Sequence, residues 1–316
     1  MLAPERRGCR MTKSWSPYTD IARAEWAPLA TWDTRPLADR EIAALGGVIE
    51  TLTLAEVEEI YLPLARLIRL RVNAARALSN AQNDFLGRPR GRVPFVIGLA
   101  GSVAAGKSTT ARALEALLTR AAPKLSVARV TTDGFLWPNA ELERRGIMRK
   151  KGFPESYDVR ALLAFVTELK SGAPEVACPV YSHQHYDITE ERVVLRQPDV
   201  AIIEGLNVLQ TGQSGVFVSD YFDFSVYVDA DEVDLRAWYL ERFERLRATA
   251  FRDAENYFHR YARLDEAEAR RVAVGFWEDI NLLNLNENII HTRERADLIL
   301  EKGRDHRIRK VRLRKA

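Results

Sequence analysis

The chain has 316 residues, 47% hydrophobic and 29% charged, with only two cysteines, a composition that buries a core without disulfides or a structural metal. Cys9 and Cys178 stand in none of the spacings that bind zinc or carry redox chemistry, which points to a reducing compartment. The net charge of +3 comes mostly from the tail His306–Lys315, and no apolar run is long enough for a signal core or a bilayer span, so a cytoplasmic location away from the membrane is expected.

Residues 1–15 read as disordered, and residues 16–90 as an N-terminal helical region packed on the core. From Thr51 to about Leu86 the positions Leu54, Val57, Ile60, Tyr61, Leu64, Leu67, Ile68 and Val72 recur at helical spacing, with a kink expected near Pro63. The turn formers of Gly87–Arg92 mark a boundary, and residues 91–316 read as one α/β domain. Strands are expected at Val93–Leu99, Val127–Asp133, Val176–Tyr181, Val200–Glu204, Phe222–Asp229 and Ala296–Glu301. Helices are expected at Ser108–Arg120, between an Asp158 cap and Gly172, between Glu232 and Ala250, and between Asp265 and Asn288. Asp187 to Gln197 reads as a loop. Such alternation implies a mostly parallel sheet flanked by helices. The tail from His306 to Lys315 reads as a terminal strand with a solvated basic face rather than a nucleic-acid surface.

Between the first buried strand and its helix stands Gly101-Ser102-Val103-Ala104-Ala105-Gly106-Lys107-Ser108, followed by Thr109. This is the pattern of a phosphate-binding loop in the context that pattern requires. The glycines let successive N–H groups face phosphate oxygens, the helix start adds its dipole, Lys107 reaches the β- and γ-phosphates, and the Ser108 hydroxyl can ligate Mg²⁺. No Asn-Lys-x-Asp segment reads guanine, so ATP is the expected nucleotide.

Two acidic residues end buried strands after this loop: Asp133, followed by Gly134, and Glu204, followed by Gly205. Ligands of open parallel sheets bind beyond the carboxyl ends of strands. Either residue can hold Mg²⁺ through water or accept the proton of an attacking hydroxyl, and spacing alone does not divide these roles. His183 and His185 lie two apart but have no third ligand cluster near them in sequence. The aromatic run Phe251, Tyr257, Phe258, Tyr261 reads as a satellite core.

The loop with its continuation to Arg112, then Thr131–Phe135, Lys151–Tyr157, Pro179–His183, Ile203–Leu209 and Thr292–Ala296, together resemble the bacterial type I pantothenate kinases. The likeness runs from about residue 15 onward. It implies ATP- and Mg²⁺-dependent phosphorylation of pantothenate by a homodimer inhibited by coenzyme A competing with ATP. It further implies Asp133 as catalytic base, Lys107 and Arg242 on the transferring phosphate, Ser108 and Glu204 at the metal, and Tyr181, His183, Tyr239, Tyr257 and Asn281 in the acceptor pocket, with lid helices at about 232–262. A uridine kinase or phosphoribulokinase acting on another small molecule, and a non-catalytic nucleotide-binding regulator, are the alternative readings.

Overall fold

The computed structural model describes residues 16–30, 37–120, 123–211 and 215–315; the expectation of disorder over 1–15 lies outside them. Among the described residues nine strands form: β1 Tyr18–Ala22, β2 Phe95–Gly101, β3 Val127–Thr131, β4 Val176–Ser182, β5 Asp187–Leu195, β6 Val200–Glu204, β7 Phe224–Asp229, β8 Leu298–Lys302 and β9 Ile308–Arg314. Apolar runs without polar alternation belong to strands covered on both faces, and β2 and β6 are buried along their whole length. They lie side by side and parallel, with β7 on the other flank of β2 and β3 beyond β6.

The main sheet has the order β1-β9-β8-β7-β2-β6-β3. The five neighbouring strands from the β3 edge to β8 run parallel, while β9 returns antiparallel to β8 and β1 antiparallel to β9. The basic tail is therefore a paired strand. Arg312 meets Asp20 and Glu294, and Arg314 donates to the Tyr18 hydroxyl at 2.9 Å. Strand β1 was not expected inside the N-terminal helical region, because five residues show too little periodicity.

Two further expectations are corrected. Val176–Ser182 leaves the parallel sheet and pairs antiparallel with Asp187–Leu195, which is a strand and not a loop. The pair stands apart as a two-stranded arm. Its outer strand escaped notice because most of its length is exposed and Glu190, Glu191 and Arg192 interrupt any apolar pattern.

The helices that cover the sheet include α1 Leu62–Phe85, α2 Lys107–Arg120, α3 Val159–Lys170, α4 Glu232–Ala248 and α5 Glu266–Phe276. Asp158 caps α3, its side chain accepting from the Ala161 amide at 3.0 Å, and Gly172 ends it at φ +77°. The irregularity expected near Pro63 takes the form of a π turn over Val57–Tyr61. Pro63 has no N–H to donate backward, and the wider turn just before it accommodates the missing bond. Ile60, Leu64, Ile68 and Val72 from this helical stretch lie in one continuous core with Val96, Ile97, Leu99 and Leu114.

At the amino edge of the sheet Asp199 ties three strands together. Its carboxylate accepts from the Ser126 amide at 2.7 Å and from Arg92 at 2.7 Å, and also pairs with Arg76. Its carbonyl receives the Phe95 amide at 3.0 Å. The arginines and Ser126 lie toward solvent while Asp199 itself is buried, so the loss on truncation falls chiefly on the bonds its carboxylate accepts from the Ser126 amide and hydroxyl. Asp199→Ala is expected to lower unfolding free energy by about 2 kcal/mol, measured by urea denaturation.

Candidate active site

β2, β3, β6, β7 and β8 all end on the same side of the sheet, and the residues singled out from sequence gather at that edge. The loop after β2 turns with φ +144° at Gly101 and +96° at Gly106, values that suit glycine. A Cβ at Gly101 would stand 2.5 Å from the Val228 carbonyl oxygen. Ala104 adopts φ +63°, a strained value for a residue with a side chain, at the tip of the loop. Lys107 curls back so that Nζ donates to the Ser102 carbonyl at 2.8 Å. The buried Ser102 hydroxyl has no protein partner. The Thr109 side chain, itself buried, accepts from Arg112 at 3.3 Å.

Loss of hydration lowers the Lys107 pKa to about 8, with Glu204 and Asp133 opposing the fall and Arg242 adding to it. Ser108 Oγ donates to Glu204 Oε2 at 2.9 Å. A hydroxyl beside a buried carboxylate is a pair of hard oxygen donors that fits Mg²⁺ completed by phosphate and water oxygens. Among the described residues no group of three or more His, Cys, Asp or Glu side chains stands together as a metal site, and His183 and His185 are joined by no third such side chain.

Asp133 sits in the 3₁₀ turn Thr132–Phe135 directly after β3. The Tyr157 hydroxyl donates to its Oδ1 at 3.3 Å. Tyr157 is held there because residues 135–137 and 156–158 run against each other, Trp137 N meeting Ser156 O at 2.9 Å and Asp158 N meeting Phe135 O at 2.7 Å. Burial and the neighbouring Asp133 carboxylate keep the Tyr157 phenol protonated, well above its usual range.

Helix α4 presents two of the expected residues inward. Glu241 and Arg245 pair on its outer side at 3.6 Å. Arg242 instead loses hydration, which lowers its pKa, while Tyr239 and Asp133 favour its charge. Tyr239 lies 5.7 Å from the Trp277 ring, and burial raises its pKa to about 12 although Asn281 hydrogen-bonds it. Asn281 belongs to a π turn over Trp277–Asn281 and also donates to the Phe276 carbonyl at 3.0 Å.

The far wall is aromatic. The Tyr181 ring stands edge-on to His183 at 5.2 Å and to Tyr186 at 6.3 Å, and Tyr186 stacks on Tyr257 at 4.9 Å. His183, exposed at the mouth, is held below its ordinary pKa by partial loss of hydration, against the pull of Asp133. Phe251 belongs to the satellite core around Leu240 and Phe243 that was expected, and Phe258 and Tyr261 pack on it. Tyr257 and Phe258 both reach the arm, Phe258 standing edge-on to Tyr186 at 4.8 Å.

Sequence reasoning assigned no role to Tyr157, Tyr186 or Lys151. Lys151, with its amine 4.0 Å from the Tyr186 ring centroid, donates to Asn139 at 2.6 Å and is lowered to about 8 by burial. Lys151 and Tyr157 bracket the Lys-Gly-Phe-Pro-Glu-Ser-Tyr run, the one signal that could have found them. Tyr186 adopts φ +54° in the turn of the arm, which no local pattern announces.

Residues 96–267 match the model of the phosphoribulokinase / uridine kinase family. Pantothenate kinase from Shouchella clausii is 52% identical over 311 residues, covering 96% of this chain and 98% of that one. Pantothenate kinase from a Nocardioides species is 54% identical over 308 residues, covering 95% and 94%. The solved structure of D-glycerate 3-kinase from Cryptococcus neoformans var. grubii shares the fold, with a TM-score of 0.53 at 14% identity over 78% of this chain and 97% of that one.

Because the free Lys107 amine loses its proton near pH 8, affinity for a nucleoside triphosphate should hold steady at lower pH and fall as pH rises through 8. Binding titrations from pH 6.5 to 9.5 test this, and Lys107→Arg, charged throughout, should flatten the profile.

Proposed function

Because this chain belongs to the pantothenate kinases and to the phosphoribulokinase / uridine kinase family, we propose that it transfers the γ-phosphoryl group of ATP to the primary hydroxyl of pantothenate, the committed step toward coenzyme A. The observation that supports a transferase, rather than a protein that only holds nucleotide, is Asp133. Its carboxylate stands at a strand end beside the P-loop, held by Tyr157 and within electrostatic reach of both Lys107 and Arg242.

Pantothenate carries a carboxylate, an amide and two hydroxyls on a short branched chain, and a pocket for it needs a few polar groups amid apolar walls. Tyr239, Asn281, His183 and Tyr181 supply such groups, with Tyr257 and Tyr186 as wall. In the reaction Asp133 accepts the proton of the attacking hydroxyl. Lys107 and Arg242 neutralise the equatorial oxygens of the moving phosphoryl group, around a loose transition state that asks for charge and position more than for covalent help. Backbone amides of residues 101–109 orient the triphosphate. Ser108 and Glu204 would hold Mg²⁺, which would offset the negative charge of the phosphates.

Inhibition by coenzyme A competing with ATP and a cytoplasmic location belong to the same reading, and so does a homodimer. Leu70, Leu78 and Phe85 are exposed along one flank of α1 and offer an apolar surface for a second copy. No helix among the described residues is long and apolar enough to cross a membrane.

An assay coupled to ADP release tests the proposal. Release should require pantothenate, not follow from uridine or ribulose 5-phosphate, and decline with added coenzyme A. Release with another acceptor would reject the substrate, and release with none would reject the transfer. Asp133→Asn should cut kcat by about 10²–10⁴-fold while ATP affinity stays near that of the native protein. Lys107→Met should weaken both.

A further inference from the structure

Beneath the P-loop lies a pair of opposite charges that phosphoryl transfer itself does not use. The side chain of Lys302, the last residue of β8, is 2% exposed and that of Glu50 is 9% exposed. Lys302 Nζ donates to the Glu50 carboxylate and to the Ala105 carbonyl oxygen, the latter at 3.1 Å, with the Trp238 ring centroid 5.4 Å away. Gly106 packs directly on the pair. A Cβ there would stand 2.6 Å from Glu50 Oε2 and 2.7 Å from Lys302 Nζ. Glu50 arrives from a turn closed by Gly47 N on Glu50 O at 2.8 Å. Arg112 of α2 holds that turn by donating to the Leu45 and Gly46 carbonyls at 2.9 and 2.8 Å.

Two charges withdrawn from water fill space no better than apolar side chains of similar volume, and often worse. What an apolar pair lacks is a donor aimed at the Ala105 carbonyl. In a trans peptide the C=O and N–H bonds point to opposite sides of the chain. Anchoring the Ala105 oxygen on Lys302 therefore turns the Gly106 N–H away from the pair and toward the side of the loop that receives phosphate.

We propose that Glu50 and Lys302 are positioning residues of the nucleotide site, setting the Ala105–Gly106 peptide so that its N–H is presented to ATP. The inference rests on the P-loop as the ATP site. It extends that site to two residues outside the family match over 96–267.

The test pairs ATP titration calorimetry with thermal melting on the native protein and on the double variant Glu50→Gln/Lys302→Met, which removes both charges together and strands neither. A folded double variant should bind ATP at least about tenfold more weakly, the scale of one lost hydrogen bond to a charged group, with its KM for pantothenate unchanged. Native-like ATP affinity in that folded variant would overturn the assignment. Amide exchange on the native protein gives a second reading that needs no variant. ATP should slow exchange over residues 45–50, and indifference of that segment to ATP would overturn it too. If the native protein bound no ATP at all, the reading of the P-loop itself would fall, and the role of the pair with it.

Discussion

Everything reactive in this protein hangs from the carboxyl edge of β2 and its parallel neighbours. β2 is hydrogen-bonded along both sides, to β6 and β7, and is buried throughout, so the loop after it starts from a fixed point. The packing is close enough to exclude a methyl group at several joints. Gly98 lies against the Phe222 ring, Gly205 against Thr132, and Gly134 against the Pro179 carbonyl. The contact of Gly205 with Thr132 joins the carboxyl ends of β6 and β3, which helps Asp133 and Glu204, remote in sequence, keep a common frame. A loose transition state is served by placement, and here placement is inherited from the sheet.

The charges in that frame are nearly balanced. Lys107 and Arg242 stand near Asp133 and Glu204 in a partly dry setting, where both carboxylates help Lys107, and Asp133 helps Arg242, remain charged against the loss of hydration. The arm contributes the rings of Tyr181 and Tyr186 to the far wall. Its turn docks on the segment after α4, Tyr257 N meeting Gln184 O at 2.9 Å and Gln184 Nε2 meeting Asp253 at 2.9 Å. The aromatic wall is thus built from two excursions that leave the sheet and close on each other, whereas the P-loop is carried by the sheet itself.

That division explains what could be read from the sequence. The P-loop, Asp133 and Glu204 were legible because each lies at the end of a continuous apolar run, and one local pattern carries both the strand and the group it delivers. The expectations for Tyr239, Arg242 and Asn281 came only through family likeness, since on helical periodicity alone they are ordinary surface or core positions. Tyr157 and Tyr186 depend on pairings across tens of residues, and the ion pair of Glu50 with Lys302 joins residues 252 apart. No window of sequence contains such a contact. β1 and β5 were missed for a related reason. Their partners, and not their own residues, make them strands.

The two ends of the chain are joined more closely than its middle suggests. β1 pairs along its whole length with β9, and Tyr18 donates to the Ala296 carbonyl at 2.7 Å. During synthesis the early segments emerge first and must wait for β8 and β9, which come last, before their partners exist. Until then the P-loop lacks its underside and the first strand lacks a neighbour. A ribosome-bound intermediate therefore carries a phosphate-binding motif in its sequence before β8 brings Lys302 beneath it.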